Sequence, residues 1–406
     1  MKIWMRFLAG GIVGLLIGLY LPLYGGDTLD LFRFLDRLVL NIGKYVVFPM
    51  VFFGLASGIR ELKEERAVFS TIARAIAYIM AATAALAFLG ALSVTVLSPE
   101  RVPIVVQEAS AQTLPTVRAL LLQVFPGNAL QVLQFHDFLL PLLVLALVVG
   151  LTLNSPGLYS SPVTDLFDSM SRILYRINSV VFEVIGIGFI ALAAYSALEL
   201  RQLGDMELFR QLFITIVFTA ALVALVLIPL AVYFFGGRQN PLQFLYAMVA
   251  PALAALFSRD AYFSLGILTR VGREELRVPR KQGSILFPLN AVFCRSGSAM
   301  VTAIAFILVL RSYSSLELSL VQFVWVILLT FLTSFLLGAA PGVGVMVSLS
   351  LLSRLYGRGL ENGYLILQAA GPILVSIGAF LDVAVSGTIA YLLAGSERKR
   401  TEVSPR

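Results

Sequence analysis

Apolar positions in this chain fall in long blocks, not in the alternation of strands or the one-sided stripe of surface helices. Blocks at 7–23, 38–59, 75–98, 138–153, 179–199 and 212–236 are near the ~20 residues a helix needs to cross a bilayer. Each predicts a membrane-spanning helix. Past residue 240 the blocks stop fitting that length. Between Glu317 and Arg354 lie 36 uncharged residues, too many for one span and without a charged turn to divide them into two. Near their middle sits GAAPGVG, 338–344, and Gly and Pro at that density end a helix. The pattern predicts a helical hairpin over 318–357 that enters the membrane and returns to the same side. Residues 241–275 behave alike, with SRDAYFS (258–264) at the break. Each hairpin is followed by a long span, 283–310 and 362–395. Irregular backbone at membrane depth survives only against protein or a watery cavity. A pair of interrupted segments in corresponding places points to the binding site of a secondary transporter. The predicted fold class is therefore an all-α integral membrane protein of eight transmembrane helices plus two re-entrant helical hairpins.

Composition narrows the function classes. Of the 406 residues 59% are hydrophobic and 13% charged, against about 25% charged in soluble domains. The net charge of +7 reads as topology and not as a nucleic-acid surface, because of where the basic residues lie. They collect at the N-terminus, in RELKEER (60–66), in RVGREELRVPRK (270–281) and in the tail ERKR (397–400). The positive-inside rule makes all four cytoplasmic, both termini included. GGDTLDLFRFLDR (25–37) and SPERVPIVVQEAS (98–110) are balanced or acidic and belong to the other side. No small-x-small cleavage site follows the first block and further spans come directly after it, which favours a span over a signal peptide. The single cysteine, Cys294, excludes a disulfide within the chain, and the lone His136 excludes a histidine metal cluster. Neither metal nor cofactor is expected. Nucleophile, base and orienting residue do not converge, so the chain does not read as an enzyme.

Four ionisable residues of the C-terminal part stand in apolar surroundings: Arg259, Asp260, Arg295 and Asp382. Charges at membrane depth cost several kcal/mol unless paired or hydrated, and they usually mark a pathway. They sum to zero, so two structural ion pairs would also satisfy them. Their place on or beside helix breaks favours the pathway.

These residues and strings resemble the glutamate and neutral amino-acid transporters, the dicarboxylate/amino acid:cation symporters; the chain is identified as a divergent prokaryotic member. The resemblance runs from VVFPMVFFGLASGI in the second block onward and is strongest after residue 240. SRDAYFS lines up with the family's TRSSSGT, CRSGS (294–298) with NMDGT, AAPGVG (339–344) with GVPGAG, and Asp382 with an aspartate of the eighth span. The resemblance implies sodium sites at positions that here are Cys294, Ser296, Ala81, Ala82 and Leu393, so oxygen ligands are lost in several places at once. It implies that Asp382 holds a substrate ammonium group. The arginine and asparagine that read carboxylates in the family are Val385 and Ile389 here. Positions 382, 385 and 389 share one helical face. Either the substrate is no longer acidic, or Arg259 or Arg295 supplies the carboxylate clamp, aided by backbone N–H groups at the hairpin tips (Ala261, Ala339 and Ala340) and by Ser296 in the span between them.

The resemblance further implies a homotrimer in a lipid inner membrane, whose core slides like an elevator past a fixed scaffold. Residues 1–240 would be mainly scaffold, with the third span (about 70–98) packing on the core; 241–396 would be the core and 397–406 a basic cytoplasmic tail. The expected function is transport of an amino acid or related small carboxylate without sodium, by proton coupling or exchange. Asp260 is the candidate proton carrier. Arg295 would replace a bound cation, and Gly338, Pro341 and Gly342 would serve gating. The alternatives are a sodium-coupled dicarboxylate/amino-acid symporter, or an anion-channel-like or binding-only relative of the same fold.

Overall fold

The computed structural model describes residues 3–20, 25–101, 122, 124–134, 138–153, 161–202, 206–236, 240–313, 319–339, 342–357 and 359–403. His136, Ala340, Pro341 and most of the 98–110 connection lie outside them. Every regular element among the described residues is helical. The first half comprises α1 (Ile3–Tyr20), α2 (Gly25–Lys44), α3 (Val47–Glu64), α4 (Val68–Leu97), α5 (Ala129–Gln134), α6 (Leu140–Thr152) and α7 (Ser161–Gln202). After a short 3₁₀ turn come α8 (Arg210–Leu222) and α9 (Ile228–Phe235), joined by a π-helical turn, Val223–Leu227, just ahead of Pro229. Proline lacks the N–H that an unbroken α-ladder needs there, so the ladder widens locally.

The C-terminal part is a series of interrupted helices, and a break falls also within the 283–310 span. α10 (Pro241–Ser258) and α11 (Ala261–Glu274) pack against each other across a two-residue break at Arg259 and Asp260. α12 (Arg280–Phe293) and α13 (Ser296–Tyr313) are separated at Cys294 and Arg295. α14 (Leu320–Ser334) and α15 (Gly344–Tyr356) flank the 3₁₀ turn Leu337–Ala339. A second 3₁₀ turn, Gly363–Leu367, leads into α16 (Gly371–Val403).

Among the described residues, eight helical stretches are long and apolar enough to cross a membrane, but they are not the predicted eight. The 138–153 block becomes α6, whose 13 residues span about 20 Å at 1.5 Å per residue, short of the ~30 Å hydrocarbon core. Pro241–Ser258 qualifies in its place. The 38–59 block is the middle of a longer stretch, Thr28–Glu64, bent at Tyr45 and Val46. Burial sets two of these stretches apart from the rest. In the best apolar window of Ile3–Tyr20 28% of residues are buried, against 94% in Arg280–Tyr313 and 83% in Gly371–Gly395. The last two are interior helices; the others turn large side chains such as Phe218, Leu225, Phe234 and Phe235 outward. An outer surface that apolar is stable against lipid and not against water. α1 packs on α7 and α10, while α4 lies along α13, α14 and α16.

Candidate functional site

The broken segments meet at one place because their sequences cannot continue as helix. α12 ends at Phe293, Cys294 turns away (φ −82°, ψ 84°), and α13 resumes at Ser296. That leaves the first-turn N–H groups of α13 without helical partners. Asp382, in the middle of α16, answers part of that need. The Ser298 N–H donates to its Oδ1 at 2.9 Å, and the Ser298 hydroxyl donates to its Oδ2 at 2.6 Å. A carboxylate at a helix N-terminus also meets the favourable end of the macrodipole. Gly297 permits this approach: a Cβ there would lie 2.7 Å from the Gly378 carbonyl oxygen and 2.8 Å from the Asp382 nitrogen. Gly297→Ala should therefore push α13 from α16 and cost about 1–3 kcal/mol by overpacking. A lowered thermal midpoint in lipid or detergent checks it.

Arg295 sits in the break. Its side chain is 6% exposed, and Nη1 lies 3.8 Å from Asp382 Oδ2. The guanidinium carbon is 5.9 Å from the centroid of the Tyr262 ring. Nε and Nη2 are buried and have no hydrogen-bond partner among the described residues. Tyr262, in the first turn of α11, donates its hydroxyl to the Gly338 carbonyl at 2.5 Å. α11, the 337–339 turn, the α12–α13 break and α16 thus converge around one buried guanidinium and one buried carboxylate. Gly342, beyond that turn, has φ +80°, a conformation that favours glycine.

The other two intramembrane charges go elsewhere. Arg259 Nη2 lies 2.5 Å from Glu199 Oε2 on α7, close but without hydrogen-bond alignment. Asp260 caps α11, accepting from the Tyr262 N–H at 2.8 Å, and pairs with Lys44 at the end of α2. Of the four charges, Arg295 and Asp382 pair with each other, while Arg259 and Asp260 take counter-charges from the first half of the chain. Ala261 is buried at the start of α11, Ala339 closes the 3₁₀ turn, and Val385, Ile389 and Leu393 are buried along α16. Ser296 hydrogen-bonds Thr83 of α4 through their hydroxyls, 3.0 Å apart, while Ala81 and Ala82 lie off that buried contact. Thr83 was not singled out in the sequence. Its signal is the stripe at every fourth residue, Thr71, Ala75, Ile79, Thr83, Ala87, Ala91, that α4 buries. Asn290 is another: its side-chain amide donates to the Ser386 carbonyl at 3.0 Å, tying α12 to α16. Among the described residues, no cluster of His, Cys, Asp and Glu has the makings of a metal site.

A profile of the sodium:dicarboxylate symporter family matches residues 3–396. The chain belongs to the sodium:dicarboxylate symporter family. Among its curated relatives, excitatory amino acid transporter 3 of Oryctolagus cuniculus is 25% identical over 217 residues, covering 53% of this chain and 40% of the relative. The human protein of the same name is 26% identical over 219 residues, again 40% of its own length. An excitatory amino acid transporter of Caenorhabditis elegans is 21% identical over 368 residues, covering 79% of this chain and 73% of the relative. The chain thus matches about two-fifths of the length of the first two of these relatives. Within this symporter family chain, the interior helices and the convergence of broken segments lie in the C-terminal part.

Proposed function

We propose that the chain is a secondary transporter of an amino acid or a related small carboxylate that works without sodium, by proton coupling or exchange, with Arg295 in the place of a bound cation. One observation carries this reading: a buried Arg295–Asp382 pair lies where both broken segments meet the two interior helices, and two guanidinium nitrogens remain unengaged among the described residues. A tethered positive charge beside Asp382 disfavours a second cation at short range. The open donors suit a substrate carboxylate. Each Asp382 oxygen accepts one bond from Ser298 and keeps a lone pair for an ammonium group. The names of the relatives support an amino-acid solute. The fold that goes with this reading has eight spans and two re-entrant hairpins, 241–275 and 318–357. Its core, 241–396, slides past a scaffold, mainly 1–240, in a homotrimer of an inner membrane with both termini cytoplasmic. Supporting it are the deep burial of the helices around the site and the breaks between apolar helices there.

A sodium-coupled reading draws on a different observation, the gathering of the Thr83, Ser296 and Ser298 hydroxyls near Asp382. A thermal-shift screen of the purified protein against amino acids and dicarboxylates separates the two. The expected result is stabilisation by at least one carboxylate solute, equal in sodium and in choline. Stabilisation that requires sodium supports the sodium-coupled reading and removes the first.

A further inference from the structure

The break between α10 and α11 is fastened to the first half of the chain by charge. We propose that Arg259 and Asp260 are one side of an ionic latch, with Glu199 of α7 and Lys44 of α2 as the other side. Arg259 is held in the left-handed region (φ 58°), a strained conformation for a non-glycine residue that persists only where its surroundings impose it. Asp260, the next residue, is extended (φ −128°, ψ 115°). The change of conformation sends adjacent side chains of opposite charge to two different helices, α7 and α2, which pack on each other.

All four side chains are largely withdrawn from solvent, at 17% exposure for Arg259, 25% for Glu199, 22% for Lys44 and 8% for Asp260. The polarity is crossed. The tip presents a cation and then an anion; α7 offers an anion and α2 a cation. Asp36, also buried on α2, adds a second carboxylate near Arg259. Moving the tip away from α2 and α7 separates both pairs, and a buried charge that loses its partner is strongly penalised. Asp260 is also the N-cap of α11, so one carboxylate orders the helix start with Oδ1 and docks it with Oδ2. The latch holds the tip in the position seen here, and leaving that position requires water, a proton or a new partner for each charge. This rests on the proposed movement of the core past the first half.

Hydrogen–deuterium exchange of the full chain in lipid nanodiscs tests it, following peptides that cover residues 258–264. Lys44→Gln and Glu199→Gln are each expected to speed exchange at the tip by about tenfold or more, in the range of local opening events, with peptides from α13 unchanged. Lys44→Arg is expected to keep exchange near that of the unmutated protein. The paired reversal Arg259→Glu with Glu199→Arg should restore it, which a purely steric role would not do. Unchanged tip exchange in both neutralised variants, or no restoration by the reversal, overturns the latch. Spin-label distances between α7 and α16 in the same variants tell its failure from that of the moving core. Faster tip exchange with an unaltered distance distribution keeps the latch as a local lock and rejects the sliding core.

Discussion

Asp382→Asn is expected to lower the thermal midpoint of the purified protein sharply and to abolish binding of every solute that stabilises the unmutated chain. The sequence alone suggests a variant that stays folded and loses an ammonium-binding carboxylate. The structure adds a second role, because Asp382 holds the start of α13 through both oxygens and balances Arg295. Removing one partner of a buried pair costs about 3–5 kcal/mol, since the other charge is stranded. The Asn amide keeps one acceptor for Ser298 and replaces the other with a donor. Adding Arg295→Met to Asp382→Asn removes the stranded charge, so the double variant should recover much of the stability and none of the binding. An Asp382→Asn protein that melts and binds like the unmutated one would show that the pair carries neither fold nor function.

Arg295→Met should do the converse. Asp382 keeps its two bonds from Ser298, so the stability loss is smaller. Binding of a carboxylate solute should weaken by about 2–5 kcal/mol, the range for truncating one side of a buried charge pair. Sodium should not restore it, because the neighbouring positions offer Cys294, Ser296, Ala81 and Ala82 where the family resemblance implies oxygen ligands. Changing Cys294, Arg295 and Ser296 together to Asn, Met and Asp is the variant expected to acquire sodium sensitivity. In the cycle of Arg295→Met and Asp382→Asn, the effects on stability should fail to add by about 1 kcal/mol or more, as in-contact charges do. Additive effects would place the two residues in separate networks.

Much of the fold is legible in the sequence because burial in lipid leaves long apolar blocks and because helix breaks need Gly, Pro or a charge. The breaks at Arg259–Asp260, Cys294–Arg295 and around Gly338 fall where those signals fall. Segment length is less legible. The 138–153 block carries enough apolar residues for a span, yet its helix closes after Thr152, and hydrophobicity does not report where a helix stops. Pairing across the chain is least legible. Lys44 interrupts the 38–59 block and Glu199 ends the 179–199 block, so both were visible as charges out of place. That they meet Asp260 and Arg259 depends on how α2, α7 and α11 pack, and no local pattern encodes this. The Arg295–Asp382 pairing was within reach because both charges sit mid-span in helices that a transport core would bring together.

Uptake into proteoliposomes tests the tethered cation most directly. The solute that stabilises the protein is loaded inside for exchange, and its labelled form is supplied outside in sodium or in choline. If Arg295 stands where a cation would bind, saturable uptake is the same in both salts, and Arg295→Met abolishes it in both. Uptake that rises with an inward sodium gradient, or an Arg295→Met protein that transports normally, contradicts that assignment.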